Sequence, residues 1–156
     1  MNAKLLFHYV SYLQYPLLFL ALFFAYRPYF IGMDLTTEKA SIILQNLNNA
    51  LIFMGLGISF STLQDTTKVQ NKLSKKIWEH PKGGKIAIIV IAVMAFAFII
   101  YGLVGYLSVG NTKLKEVSIG IVVLGIGFIG LLKTSIEIFE NHRKDKRIPI
   151  NEVEAH

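Results

Sequence analysis

Cysteine is absent from this chain. Disulfides, thiolate metal sites and a cysteine nucleophile are thereby excluded. Charge is scarce as well. Asp, Glu, Lys and Arg supply 17% of the 156 residues, against about 25% in an average soluble protein. Proline occurs four times and tryptophan once. No P-loop, HExxH or GxSxG motif occurs anywhere, and the one GxGxxG spacing, Gly125 to Gly130, lies inside an uncharged run rather than between a strand and a helix, so nucleotide and hydrolase chemistry lack their usual scaffolds.

The scarce charges are also clustered. Residues 5–26, 40–64, 86–112 and 117–132 contain no Asp, Glu, Lys or Arg. A helix needs roughly 20 apolar residues to cross about 30 Å of hydrocarbon. Three stretches reach that length. The fourth is short, but Lys133 extends it by snorkelling its ammonium to the interface. With 53% hydrophobic residues and a mean hydropathy of +0.50, the pattern predicts an all-α, polytopic membrane protein. It has four transmembrane helices in an up-down bundle, spanning residues 1–147 as one domain, with a loose tail at 148–156. A cleaved signal peptide is the rival reading of the first stretch, disfavoured by its length and by the lack of an A-x-A site.

Helix one is expected over Leu5–Tyr26, kinked near Tyr12 because Pro16 removes a backbone donor. Pro28 and Gly32 are expected to break helix before the second span, Thr37–Leu63. The linker 65–85 carries six lysines. Val69, Leu73 and Ile77 recur every four residues there, which predicts a short amphipathic helix or an extension of helix two, with Trp78 as interface anchor. Pro81, Gly83 and Gly84 should end it. Helix three follows over Lys85–Leu107, then a short turn and helix four from Leu114 toward Asn141, stopped by HRKDKR and Pro149. Helices three and four form an antiparallel hairpin.

Twelve of the sixteen basic residues fall on the side of Lys4, the 65–85 linker and the segment from Lys133 on, and four on the other. The positive-inside rule then places both termini in the cytoplasm, in a cytoplasmic or inner membrane.

Helix two has the most unusual composition. Ser41, Asn48, Gly55 and Thr62 recur every seven residues, with Gln45, Ile52 and Ser59 between them. Carboxamides facing lipid find no hydrogen-bond partner. Gln45, Asn48, Gly55, Ser59 and Thr62 are therefore expected to form a seam between helices, with pore lining as the alternative. Asn46 and Asn49 lie off that stripe. Helix four repeats Gly120, Gly127 and Thr134 at the same spacing, plus Gly125 and Gly130. These, with Gly102 and Gly105, are read as close packing within the hairpin. His8 sits one turn past Lys4 and is read as an interfacial histidine rather than a proton relay. No two histidines have metal-ligand spacing. Lys68, Lys72, Lys75, Lys76, Trp78, Arg143 and Lys144 are expected to contact anionic lipid headgroups. Nucleic-acid binding is disfavoured for lack of interleaved aromatics.

No Asp, Glu, Lys or Arg lies at the centre of a span, which argues against a proton pump or ion-coupled carrier. The expected function is that of a small non-enzymatic membrane protein acting by association, as an accessory, scaffold or self-assembling subunit in a homo-oligomer or larger complex. It needs no cofactor. The alternative is an oligomeric channel or membrane-perturbing effector with helix two lining the pore.

Overall fold

The computed structural model describes residues 3–30, 37–64, 72–108, 110 and 112–146. The regular structure among them is helical: α1 (Ala3–Ser11), α2 (Gln14–Phe30), α3 (Thr37–Ser61), α4 (Lys72–Glu79), α5 (Pro81–Ser108), α6 (Thr112–His142) and a 3-10 turn (Lys144–Lys146). Four helical stretches are long and apolar enough to cross a membrane: Leu6–Phe30, Lys39–Ser61, Pro81–Ser108 and Leu114–His142.

The first of these is broken where proline chemistry requires it. Pro16 has no N–H to give the Tyr12 carbonyl, and the Tyr15 N–H donates to that carbonyl at 3.1 Å instead. The turn tightens to i→i−3 bonds at Tyr12 and Leu13, which separates α1 from α2. Pro28 does not act as a stop. The helix runs through it to Phe30, because a proline this close to a helix end removes a single hydrogen bond that the last turn can forgo.

Pro81 also differs from its expected role. It opens α5 rather than only closing the linker helix. His80 caps that start, its Nδ1 accepting the Gly83 N–H at 3.3 Å while its carbonyl accepts the Gly84 N–H at 2.9 Å. Proline suits this first helical position because its missing N–H would be unpaired there anyway. The linker helix is a separate element, since α3 ends at Ser61 and turns at 62–64.

The spanning helices alternate in direction. Leu18 of α2 meets Gly57 of α3, and Phe24 stacks on Phe53 with ring centroids 5.5 Å apart, so α2 and α3 are antiparallel. Gly84 meets Phe139 at one end of α5–α6 and Gly105 meets Ser118 at the other, an antiparallel hairpin. Between the hairpins, α3 and α6 run parallel. Their contacts keep one sequence offset, 72 residues, at Asn48–Gly120 and Thr62–Thr134, and Gly55–Gly127 obeys it too.

Side by side, the order is α2, α3, α6, α5, each packing along its length only on its neighbours in that row. The register explains the row. On α3 the residues facing α6 (Asn48, Gly55) and those facing α2 (Phe53, Gly57) differ by two positions at Gly55 and Gly57, which is about 160° around a helix of 3.6 residues per turn. On α6, Gly127 faces α3 and Gly125 faces Ile99 of α5, again two positions apart. Partners on nearly opposite sides make a layer. The same offset relates both faces, so the two hairpins are arranged about an approximate two-fold axis parallel to the helices.

The surface is the inverse of a water-soluble protein. Phe30, Leu107 and Tyr101 are 87%, 78% and 77% exposed, while the buried side chains include Ser11, Gln14, Asn46, Ser118, Thr134 and Ser135. Apolar atoms face outward along α2 and α5, and the buried hydroxyls and carboxamides lie between helices, while Gln45 is exposed. Helix α4 packs across the ends of α5 and α6.

Candidate functional site

Two places concentrate polar groups: the α3–α6 contact and a cleft at its α4 end.

Three consecutive turns of seven residues form the contact. At the first, the Gly120 N–H donates to the Asn48 Oδ1 at 3.0 Å. The bond exists because Gly120 lacks a side chain: a Cβ there would stand 2.6 Å from that oxygen. At the second, the backbones themselves touch. A Cβ on Gly127 would lie 2.5 Å from the Gly55 carbonyl oxygen, and one on Gly55 would lie 2.7 Å from the Val123 carbonyl oxygen. At the third, the Thr134 hydroxyl donates to the Thr62 carbonyl at 3.3 Å, beside Gly130. A seven-residue repeat on both helices keeps these stripes facing when the pair wraps left-handed.

The remaining stripe residues divide. Ser59 Oγ donates to the Gly55 carbonyl at 2.9 Å within α3, and Thr62 Oγ1, in the turn that follows, to the Ser59 carbonyl at 2.7 Å. Gln45 is exposed. Asn46 is buried instead, at 4% exposure, with its Nδ2 donating to the Ile42 carbonyl at 2.8 Å. It shares the α2-facing side of α3 with Ala50, Phe53 and Gly57. The glycines of α6 also divide. Gly125 packs on α5, whereas Gly120, Gly127 and Gly130 pack on α3. Reading all of them as hairpin glycines overlooked that residues two apart sit on nearly opposite helical faces. Ser118 and Ser135, both buried, carried no sequence signal beyond being polar in an apolar run.

His8 is exposed near the chain's start, with its Nε2 3.4 Å from the Tyr12 hydroxyl and the rings edge-on at 5.2 Å. Among the described residues no three His, Asp or Glu come together as a metal-ligand group.

The cleft has a volume of about 280 Å³ and is lined by Lys75, Lys76, Glu79, His80 and Lys144. Glu79 organises it. Its carboxylate takes Lys144 at 2.9 Å and Lys75 at 3.7 Å, which clasps the turn after α6 onto α4. The Lys144 hydrogen bond, and then the Lys144 charge against an opposing desolvation, hold the Glu79 carboxyl below its usual value. Arg143 is engaged by its own segment. It makes paired hydrogen bonds to Asp145 at 2.8 and 3.1 Å and one to Glu140 at 3.0 Å, and its guanidinium stacks on Phe139 at 5.4 Å. The Asp145 bonds raise the Arg143 pKa, and Arg143 lowers that of Asp145. Trp78 is half-buried on α4. Lys72 stands in the first turn of α4, and Lys68 lies outside the described residues.

No family model, curated protein or solved structure matches the chain. The folded chain defines an all-helical protein whose four long apolar helices form a single row, and its function is to be argued from that geometry alone.

Proposed function

We propose that this is a four-span integral membrane protein, non-enzymatic and cofactor-free, that acts by associating laterally with a second copy or with other membrane helices. Both termini, α4 and the turn after α6 lie on the cytoplasmic side of an inner or cytoplasmic membrane. Their lysines are drawn to anionic lipid headgroups. Support for the membrane comes from the outward-facing apolar side chains and the polar groups held between helices. Support for the orientation comes from the gathering of basic residues at the α4 end.

The observation that carries association is Gln45. It is exposed on α3, six residues past Lys39, about 9 Å along the axis at 1.5 Å per residue. A carboxamide at that depth in hydrocarbon lacks partners, and pairing with another helix supplies them. The row leaves its broad faces open for such a contact. The pore reading has less support. Asn48 and Thr62 direct their polar groups into an α3–α6 contact whose backbones touch.

The test exploits the cysteine-free chain. Gln45→Cys, oxidised in native membranes, should give a cross-linked species on a gel. Leu47→Cys, two residues on and nearly opposite on the helix, should not. If neither position cross-links and the protein runs as a monomer in nanodiscs, lateral association through this face is wrong.

A further inference from the structure

The lysines of the cleft do more than add to a diffuse positive surface. Glu79 draws the Lys144 and Lys75 ammoniums to one carboxylate, and Lys76 lines the same cleft with no ion-pair partner among the described residues. Each ammonium has three N–H donors; Glu79 occupies one on Lys144 at 2.9 Å, while Lys75 at 3.7 Å is held by charge alone. Three ammoniums against one carboxylate leave the cleft with a net charge of +2. His80 adds a further donor: its Nδ1 accepts the Gly83 N–H, so in the neutral ring Nε2 carries the hydrogen.

We propose that this cleft binds a single phosphate monoester, carried by an anionic lipid headgroup. A monoester phosphate bears a charge of about −1.5 to −2 at pH 7 and three strong acceptor oxygens, which matches the net charge and the donor-rich lining. The cleft, about 280 Å³ and open to the outside, has room for a phosphate headgroup. Its level suits a lipid. His80 precedes Ile86, the first residue of the uncharged run of α5, by six positions, about 9 Å along the axis. That is headgroup depth when the run from Ile86 lies in hydrocarbon. The lipid source rests on the membrane reading above. The phosphate chemistry does not.

Trp78, the only tryptophan, is next to Glu79 and reports on the cleft. The full chain is placed in nanodiscs of phosphatidylcholine alone, or with phosphatidic acid or phosphatidylserine matched in total charge, and Trp78 emission is followed. Phosphatidic acid should give a saturable change at about one lipid per protein. Phosphatidylserine should half-saturate at roughly tenfold higher content, and Lys76→Gln or Lys144→Gln should weaken the phosphatidic acid response about tenfold, the loss of one charge-assisted hydrogen bond. Lys133→Gln, outside the cleft, should leave it unchanged. Equal responses to the two lipids, or equal effects of Lys133→Gln and Lys144→Gln, would overturn the site in favour of diffuse attraction. Glycerol phosphate saturating the response in phosphatidylcholine nanodiscs would uphold the phosphate site and overturn its lipid source. Failure of the chain to remain in nanodiscs at all would overturn the membrane reading instead.

Discussion

The side-chain oxygen of Asn48 accepts a hydrogen bond from the backbone amide of Gly120, 72 residues away, at 3.0 Å. A polar side chain of one helix thus reaches the main chain of a parallel helix, through the gap left by a missing Cβ. The pair sets the register of α3 on α6, and the two contacts below it repeat that register.

Asn48 and Gly120 should therefore be energetically coupled. Asn48→Ala and Gly120→Ala are each expected to destabilise, and the double variant to lose less than their sum. The Cβ of Gly120→Ala meets the Asn48 oxygen at 2.6 Å, and Asn48→Ala removes that oxygen. Hydrogen bonds between membrane helices average about 0.6 kcal/mol in such cycles. Reversible unfolding of the four proteins in mixed micelles measures the coupling; strict additivity would mean that the bond contributes nothing.

Gly55 and Gly127 should tolerate no side chain. A Cβ at Gly127 stands 2.5 Å from a backbone oxygen that cannot rotate away. Gly127→Val is expected to lose about 1–3 kcal/mol, the usual penalty for overpacking. Gly110, where a Cβ would meet nothing within 4 Å, serves as the control. Thermal unfolding in detergent should rank Gly127→Val well below Gly110→Ala, which should match the parent.

The clasp between Glu79 and Lys144 should open only in acid. The Glu79 carboxyl is held below its ordinary value of 4.5 by the Lys144 hydrogen bond. A lowered folded-state pKa means that the contact's stabilisation is fully present above 4.5 and is lost as pH falls through the lower folded value. Spin labels at Ile77 on α4 and Asn141 at the end of α6 should keep their separation from pH 8 to pH 5 and drift apart below 4.5. Separation already complete above pH 5 would contradict a clasp held by the Glu79 carboxylate.

Orientation is open to direct labelling, because every introduced cysteine is the only one. Cysteines at Lys75 and Lys144 should react with an impermeant maleimide only after the cytoplasmic side is opened. Those at Lys39 and Lys115 should react in intact cells. Reactivity of Lys75→Cys and Lys144→Cys from opposite sides would contradict both the orientation and the packing of α4 over the end of α6.

How far the sequence reached is clearest at the two heptads. Asn48, Gly55 and Thr62 are visible as one stripe, and Gly120, Gly127 and Thr134 as another. Their meeting, residue for residue, was not. Between 37–64 and 109–136 the only identical pairs at this offset are Gly55/Gly127 and Thr62/Thr134, too few to announce a repeat. Glycine also carries no directional information, so a glycine facing α5 and one facing α3 look alike in a string. Gln45 and Asn46 make the same point. Adjacent carboxamides differ by 100° of rotation, and only the positions of α2 and α6 decide which is covered.

Helix number, length and approximate boundaries follow from the chain alone, because runs without charge are long enough to satisfy their backbone only as helices and proline marks the break at Tyr12. The antiparallel course of α5 and α6 follows too, from the short connection between Ser108 and Thr112. Lateral order does not. Apolar faces of α2 and α5 are interchangeable to any neighbour, and which helices lie side by side was decided by where two backbones approach within contact at Gly55 and Gly127. The cleft has the same origin: Lys75 and Lys76 are far from Lys144 in sequence, and Glu79 draws Lys144 to the α4 lysines only after α4 has folded over the end of α6.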